Sequence, residues 1–173
     1  PCRPRREGSR SVCPHGLPTW CNVRHGDGDE CLGQPLCRKC YRYEHHIVWQ
    51  WWAPELWRRF SIGLGRAVAH RLGVPVSRLK DTASIQYAKV AEVQARGAIH
   101  YHALMRLDGP AGDGIGSPAP LDLDAARLAE LVRSAASSVR FTAPPASPGS
   151  PWLELAFGRQ IDVKIVSSRH RTD

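Results

Sequence analysis

The chain has 173 residues, which is enough for one domain of ordinary size with a small appendage. It contains 24 Lys and Arg residues against 16 Asp and Glu residues, a formal net charge of +8, and twenty of the basic residues are arginine. No apolar stretch is long enough to span a membrane and no signal peptide is visible, so we expect a cytoplasmic protein that has a polyanion as its partner and makes no membrane contact.

All six cysteines lie in the first quarter of the chain, at positions 2, 13, 21, 31, 37 and 40. Such crowding predicts a local cross-link, either a metal ion or disulfides. Cys37 and Cys40 have the two-residue gap of a zinc knuckle, and Cys13 and Cys21 precede them, so these four are predicted to bind one structural Zn²⁺. The alternative is a set of three disulfides, and the alternative zinc ligands are His15, His25, Cys31 and Cys2. We assign residues 1–44 to a cysteine-rich zinc-binding module and residues 45–173 to a second domain.

The segment that follows the cysteines is rich in aromatic and β-branched residues and predicts a strand over residues 45–52. Pro54 ends this strand and is a favourable first residue for a helix. From Pro54 to Leu72, apolar residues recur at three- and four-residue spacings, which predicts an amphipathic helix. Its apolar positions are Trp57, Phe60, Leu64, Ala67, Val68 and Leu72.

Residues 84–94 and 98–107 predict two strands joined by a tight turn that contains Gly97. With Gly97 in the left-handed position of a three-residue loop, Glu92 pairs with His100 and Val90 with His102. A two-residue loop would mix polar and apolar residues on both faces, which a half-buried sheet disfavours. With the odd loop, one face is apolar apart from Lys89, and it carries Ile85, Tyr87, Ala91, Val93, Ile99, Tyr101, Ala103, Met105 and Leu107.

The other face of this hairpin carries a candidate metal site. His100 and His102 are one residue apart on a strand, so they point to the same side. With Glu92 they form a mixed nitrogen and oxygen set that suits Mg²⁺ or Mn²⁺ and leaves positions for water or a phosphate oxygen. The alternative is a salt-bridged glutamate beside two surface histidines. Arg106 shares the parity of the histidines and is predicted to contact DNA at the margin of this face.

A Gly- and Pro-rich loop over residues 109–120 precedes a second predicted helix, which Asp122 can cap. The apolar positions of this helix are Leu128, Leu131, Val132, Ala135 and Val139. Two short strands are predicted over residues 152–157 and 160–166, separated by Gly158. The resulting order predicts an α+β fold, a ferredoxin-like split βαββαβ palm with its helices on one face of the sheet.

A series of motifs extends along nearly the whole chain. They are Cys13-Pro-His-Gly-Leu-Pro with Cys21, Leu32-Gly-Gln-Pro-Leu-Cys37-Arg-Lys-Cys40-Tyr41, Ala53-Pro-Glu-Leu-Trp-Arg-Arg59, Tyr87-Ala-Lys-Val-Ala-Glu92-Val-Gln94, Arg96-Gly97-Ala-Ile-His100-Tyr-His102-Ala-Leu104 and Gly158-Arg-Gln-Ile-Asp162-Val. These motifs resemble the replication initiator (Rep) proteins of actinobacterial plasmids and integrative elements, which belong to the HUH endonuclease superfamily.

The resemblance implies a function and a mechanism. The two histidines and a nearby acidic residue would hold Mn²⁺ or Mg²⁺, which polarises the scissile phosphate of single-stranded origin DNA. A tyrosine then attacks and leaves a 5′-phosphotyrosine and a free 3′-hydroxyl that primes rolling-circle synthesis. The resemblance also implies the HUH fold, here incomplete at both ends, and makes host replication proteins candidate partners.

The sequence departs from the family pattern at the nucleophile. The family's tyrosine lies on a later helix, commonly with a lysine three residues on, and none of the four tyrosines at positions 41, 43, 87 and 101 has that lysine. Tyr101 lies between the two histidines, and its parity points it away from the metal. We therefore expect the nucleophile beyond Asp173. The chain begins at Pro1 without a methionine, and we expect a fragment that is inactive alone.

Two other functions stay open at this point. One is a related HUH enzyme, a transposase or a conjugative relaxase, which would share the chemistry and differ in its target. The other is a non-catalytic, zinc-stabilised DNA-binding protein in which the two histidines are incidental. Glu92 favours an enzyme, because an incidental histidine pair has no reason to face a carboxylate. The arginine surplus does not decide between them, since a GC-rich coding sequence raises arginine content without any selection for nucleic acid.

Overall fold

A computed structural model of the chain describes residues 11–21, 23–26, 28–158 and 161–166. The chain divides into two compact units, each built from two segments. One unit comprises residues 1–50 and 89–102, and the other comprises residues 51–88 and 103–173. The sequence-based boundary at residue 44 stays a prediction. Among the described residues, no helix combines the length and the apolar character that crossing a bilayer requires.

Helix α1 spans Tyr43–Arg71, so the strand predicted over residues 45–52 is wrong. The reason is that burial along this segment follows the helical period: Ile47 and Trp51 are exposed, whereas Val48 is buried. The fully covered positions continue this stripe and are Val48, Ala53, Leu56, Phe60, Leu64, Val68 and Ala69. Pro54 lies inside the helix and lacks an N–H group, so α1 has no main-chain hydrogen bond from residue 54 to the carbonyl of Gln50.

Strands β1 (Ser84–Val93) and β2 (Ile99–Asp108) form a two-stranded sheet, as predicted. The N–H of Gln94 donates to the carbonyl of Ala98 at 2.9 Å, and the N–H of Gly97 donates to the carbonyl of Gln94 at 2.7 Å. Gly97 has a φ of 75°, which confirms the three-residue loop and its left-handed glycine. Covered and exposed residues alternate from Ile99 to His102, but Ala103 is exposed and Asp108 is buried, which breaks the pattern. Val93 near the end of β1 is 70% exposed despite its position on the predicted apolar face.

Helix α2 spans Ala125–Ser138, and its cap differs from the prediction. Asp124, and not Asp122, is the N-cap, because its side chain accepts a hydrogen bond from the N–H of Arg127 at 2.8 Å. Leu128, Ala135 and Val139 are buried as expected. Leu131 and Val132 are only partly covered, so the buried stripe of α2 is narrower than its apolar pattern suggests.

A second two-stranded sheet pairs β3 (Phe141–Ala143) with β4 (Leu153–Leu155) in antiparallel register. Strand β4 lies within the predicted range 152–157, but β3 was not predicted. Residues 161–166 form no strand, and Gln160 lies outside the described residues. The described residues therefore show a mixed α and β architecture with two separate sheets, and the single split βαββαβ sheet is not formed among them. Two missing strands explain this: residues 45–52 are helical, and residues 161–166 pair with no neighbour in the described structure.

Candidate metal and nucleic-acid sites

Glu92, His100 and His102 come together on one face of the β1–β2 hairpin. The loop register places Glu92 opposite His100, with His102 as its diagonal neighbour, so all three side chains project from the same side of the pleat. Their ligand atoms lie within 4.8 Å of one another, and the two imidazole rings have centroids 4.5 Å apart. The structure thus brings together the three residues that the parity argument selected.

This group is suited to hold a divalent cation. It offers two imidazole nitrogens and one carboxylate oxygen, and all three residues are exposed, so water or a phosphate oxygen has access to the remaining positions of an ion. The contact between His102 Nε2 and Glu92 Oε2 is 2.7 Å long, which is also the geometry of the alternative salt bridge. Imidazole nitrogen and carboxylate oxygen together suit Mn²⁺ better than Mg²⁺, which prefers oxygen ligands.

The hairpin that carries this group is held by the first part of α1. Gln50 accepts a hydrogen bond from the N–H of Ile99 through its Oε1 atom at 3.1 Å, directly before His100 in the chain. On the loop side, the side-chain nitrogen Nε2 of Gln94 lies 3.4 Å from Nδ1 of His100. The start of β2 is therefore positioned from both sides, which limits the movement of the histidines.

The tyrosines of the chain are engaged elsewhere. Tyr101 lies on the opposite face of β2, where Lys89 Nζ sits 4.2 Å from its ring centroid and burial raises its pKa. The ring of Tyr87 packs against Trp57 with centroids 5.3 Å apart. The hydroxyl of Tyr41 lies 2.7 Å from Nδ1 of His46. None of these contacts directs a tyrosine hydroxyl at the Glu92, His100 and His102 group.

A second group consists of Cys13, His15, Cys37 and Cys40, whose ligand atoms also lie within 4.8 Å of one another. Nδ1 of His15 is 3.3 Å from the sulfur of Cys40 and 3.6 Å from that of Cys37. Three sulfurs and one imidazole nitrogen are a donor set typical of a structural Zn²⁺ site. The described residues therefore include a Cys₃His group that could hold a metal ion such as zinc.

The fourth member of this group is His15, one of the alternative ligands, whereas Cys21 does not belong to the group. A tight turn explains the difference: the N–H of Cys13 donates to the carbonyl of Leu17, and the N–H of Gly16 donates to that of Cys13. Gly16 has a φ of 75°, a conformation that few other residues adopt. The turn folds His15 back beside Cys13. The sequence Cys-Pro-His-Gly could have predicted this turn, because proline and glycine are typical turn residues.

The thiols of this group differ in acidity. Desolvation raises the pKa of Cys13, but hydrogen bonds from the main chain of His15 and Leu17, and then from Cys40 and Cys37, outweigh it and lower this pKa to about 7. Hydrogen bonding with Cys37, then desolvation and Cys13, raise the pKa of Cys40 to about 11. Cys13 thus becomes a thiolate at a lower pH than Cys40 when the group carries no ion.

Three further residues of the cysteine-rich segment form a chain of contacts apart from the Cys₃His group. The sulfur of Cys21 lies 3.1 Å from Nε2 of His25, and Nδ1 of His25 lies 2.6 Å from Oδ2 of Asp29. Hydrogen bonding to Asp29 and then to Cys21 raises the pKa of His25, and the same contact lowers the pKa of Asp29. Cys31 is exposed, and Cys2 lies outside the described residues.

Arg106 is paired with a buried carboxylate. Its Nε atom lies 2.6 Å from Oδ1 of Asp108, whose side chain is only 2% exposed. The N–H of Gly116, and then the Arg106 guanidinium, hold the pKa of Asp108 below its usual value. Because Asp108 compensates the charge of Arg106, the contact of Arg106 with DNA stays a prediction without added support.

A basic cleft between α1 and α2 was missed by the sequence reasoning. Four arginines line it, together with apolar and small residues: Arg58, Arg59, Ile62, Gly63, Arg66, Ala135, Ser138, Val139 and Arg140. Two carboxylates contact these arginines, Glu55 and Glu154, and the hydrogen bonds from Arg58 and then Arg59 lower the pKa of Glu55 to about 2. The three arginines of α1 could have been found from their helical spacing, whereas the approach of Arg140 depends on the packing of α2.

Comparison with known proteins identifies the family. The model of the RepSA family, described as replication initiator protein, pSAM2, matches residues 1–173. A replication initiator protein of Streptomyces ambofaciens is 37% identical over 149 residues, which are 86% of this chain and 32% of that protein. The chain thus spans about a third of that relative's length, and no solved structure matches it. The chain belongs to the RepSA family of replication initiator proteins.

Proposed function

We propose that this chain supplies the metal- and DNA-binding part of an HUH-type endonuclease that nicks single-stranded origin DNA, and so starts rolling-circle replication of a plasmid or integrative element. The observation that carries the proposal is the convergence of Glu92, His100 and His102 within 4.8 Å on an exposed hairpin face. Family membership supplies the replication context. Under this proposal β1 and β2 are the two strands of the HUH palm that carry the metal site.

Under this proposal Glu92, His100 and His102 are the ligands of a divalent ion. The two imidazoles and the Glu92 carboxylate would hold the divalent ion on the sheet. Such an ion supplies Lewis acidity to a phosphate oxygen and stabilises the charge that develops during in-line attack. Gln50 holds the start of β2 through the main-chain N–H of Ile99, directly before His100.

The arginine cleft of α1 and α2 supports binding to a nucleic acid. Guanidinium groups bind phosphates through paired hydrogen bonds, and four of them line one concave surface here. Arg58 and Arg140 have side chains that are 60% and 53% exposed, so their groups are accessible to a ligand. We assign this cleft to the sugar–phosphate backbone, which it would grip without reading sequence.

The four tyrosines are not expected to serve as the nucleophile, because Tyr41, Tyr87 and Tyr101 have the other contacts described above and Tyr43 packs its ring against Tyr41. The chain incubated with Mn²⁺ and a single-stranded origin oligonucleotide should therefore give no covalent adduct on a denaturing gel. A shifted protein–DNA band would show that one of these tyrosines attacks DNA, and Tyr→Phe variants at the four positions would identify it.

Nicking is tested in a longer initiator that contains this chain and the attacking tyrosine. There, His100→Ala or His102→Ala should abolish cleavage of single-stranded origin DNA and leave DNA binding in place. His70→Ala is the matched control, because His70 is an exposed histidine in the last turn of α1. Cleavage by both hairpin variants at the rate of the parent would refute the catalytic assignment.

A non-catalytic DNA-binding protein is the second candidate. The Cys₃His group and the arginine cleft favour it, since neither needs the hairpin histidines, and Glu92 and His102 already form a hydrogen bond without an ion. Under this candidate the hairpin variants lose nothing in any DNA assay. A transposase or relaxase of the HUH class would share the nicking chemistry, and cleavage of element ends or of a transfer origin in place of the replication origin would identify it.

A further inference from the structure

The described part of the cysteine-rich segment contains little regular structure and few buried residues of its own. Between residues 11 and 42, the described residues form turns and a single isolated bridge, Val12 to Pro18. Cys37 is the one buried residue among them. Apolar side chains such as Val12 and Val23 are 65% and 53% exposed. A segment with neither a sheet nor a core of its own requires cross-links to keep one conformation.

The Cys₃His group accounts for only part of this segment. Its four members lie at positions 13, 15, 37 and 40, so they close the two ends and leave the stretch between them without a ligand. Cys21, His25 and Cys31 lie in that stretch. The Cys₃His group brings the two ends of this stretch together, and a second cross-link within it would restrict the conformation of the loop itself.

Cys21 and His25 are already neighbours, and a small movement apart would let their ligand atoms bind one ion. Their sulfur and Nε2 atoms are 3.1 Å apart, close to the 3.3 Å between the sulfur of Cys40 and Nδ1 of His15 in the Cys₃His group. One zinc ion can bind both atoms of such a pair, because Zn–S and Zn–N distances are about 2.3 and 2.0 Å. The proton between sulfur and nitrogen leaves when the ion binds.

Asp29 gives this pair the outer support that metal-bound histidines have. Its Oδ2 atom accepts a hydrogen bond from Nδ1 of His25 at 2.6 Å, which fixes the ring and leaves the Nε2 lone pair directed at Cys21. Its Oδ1 atom accepts the main-chain N–H of Cys31 at 2.8 Å. The same carboxylate therefore holds the imidazole and the main chain of a third potential ligand, whose side chain is exposed and can rotate.

We propose that Cys21, His25 and Cys31, with Asp29 orienting the imidazole, form a second site for a thiolate-binding divalent ion of the zinc type. Water or a further side chain completes its coordination. The site is independent of the catalytic proposal, because it contains no member of the hairpin group, which consists of Glu92, His100 and His102. Each chain would then hold two thiolate-bound ions within its cysteine-rich segment.

The experiment is a titration of the reduced, metal-free chain with Co²⁺, followed through thiolate-to-cobalt charge-transfer absorption. The hairpin group contains no thiolate, so it does not contribute to this signal. We expect an end point of two equivalents for the parent, and one equivalent for Cys21→Ser, for His25→Ala and, through loss of the first site, for Cys40→Ser. His70→Ala, a matched histidine change outside both groups, should keep two. An end point of one equivalent for the parent, or of two for both Cys21→Ser and His25→Ala, would overturn the proposal.

Two further variants remain informative if Cys21→Ser fails to fold. Asp29→Asn keeps all three ligands and should weaken the second site about 10- to 100-fold while the first keeps its affinity. Cys31→Ser should weaken the second site by at least as much, and unchanged affinity would overturn the three-ligand assignment. In the zinc-loaded chain Cys21 should resist alkylation by iodoacetamide. Alkylation as fast as in the metal-free chain would instead identify Cys21 as a reactive thiol without an ion.

Discussion

Gly33 lies so close to the main chain of Ala95 that a Cβ atom on Gly33 would be 2.6 Å from the Ala95 carbonyl carbon and oxygen. The cysteine-rich segment thus packs its backbone directly against the loop of the β1–β2 hairpin. Gly33 also has a φ of 84°, so the position excludes other residues on both steric and conformational grounds. This contact connects the folding of the cysteine-rich segment to the loop that sets the register of Glu92, His100 and His102.

Gly33→Ala should loosen the hairpin loop. The added methyl group collides with Ala95, and the left-handed backbone alone costs a residue with a side chain about 1 to 3 kcal/mol. We expect faster hydrogen–deuterium exchange at the amides of Gln94 and Gly97, which donate the two loop hydrogen bonds. Gly73→Ala is the control, because Gly73 has a φ of 67° but open space around it. Equal exchange at both amides in Gly33→Ala and the parent would show that the contact is not formed.

Cys13 and Cys40 of the Cys₃His group should titrate far apart in the metal-free chain. Because the pKa of Cys13 is lowered to about 7, its thiolate is present above pH 7 and lost as the pH falls through this value. The pKa of Cys40 is raised to about 11, so Cys40 stays protonated up to that pH. Mass-spectrometric mapping of iodoacetamide labelling from pH 6 to 11 should show Cys13 reacting at a lower pH than Cys40.

The control for this prediction is the same labelling in denaturant, where both thiols should titrate together near the ordinary value of 9.0. Joint titration of Cys13 and Cys40 in the folded chain would contradict the geometry of the group.

The arginine cleft should produce a salt-dependent affinity for single-stranded DNA. Each phosphate contact contributes roughly 0.7 to the slope of log affinity against log salt, because it releases condensed counterions. Arg66→Ala should lower this slope by about that amount, measured by fluorescence anisotropy of a labelled oligonucleotide. Arg133→Ala removes the same charge from an exposed position of α2 outside the cleft and should change the slope less. If Arg66→Ala and Arg133→Ala gave the same slope of log affinity against log salt, the cleft would not be part of the DNA-binding surface.

Glu55→Gln tests the same cleft in the opposite direction. The Glu55 carboxylate accepts hydrogen bonds from Arg58 and Arg59, at 2.6 and 2.8 Å, and so competes with DNA phosphates for both guanidinium groups. Its replacement by the neutral amide should raise affinity for single-stranded DNA at low salt. Glu130→Gln, which releases Arg127 on α2, is the matched control and should have no such effect. A lower affinity for Glu55→Gln would mean that the ion pairs position the arginines for DNA.

The sequence predicted the hairpin because its signals are local. The alternation of polar and apolar residues favoured a three-residue loop that ends at Gly97, and this register placed Glu92 with the two histidines without any knowledge of the rest of the chain. The length of α1 was misjudged for the opposite reason. Residues 45–52 are β-prone one by one, and Pro54 is a familiar helix start, but the buried stripe that begins at Val48 outweighs both.

The metal ligands of the cysteine-rich segment were only partly predictable. Spacing identified Cys13, Cys37 and Cys40, but the choice between Cys21 and His15 depended on a turn that folds one residue back onto another. Contacts between distant segments could not be predicted, because neither segment alone has a sequence pattern that indicates them. Examples are the contacts of Arg140 with the arginines of α1 and of Gly33 with Ala95.

Binding of Mn²⁺ to the hairpin group tests the central claim most directly. Mn²⁺ prefers nitrogen and oxygen ligands to thiolates, so it should bind to Glu92, His100 and His102 and not to the cysteine-rich segment. The electron paramagnetic resonance signal of free Mn²⁺ falls as the ion binds, and its decrease during a titration measures this binding. We predict one bound ion per chain, and an affinity at least about tenfold weaker for Glu92→Gln, a change of similar shape, with no effect of Glu130→Gln. Equal Mn²⁺ affinity of the parent and Glu92→Gln, or no binding by the parent, would contradict the account.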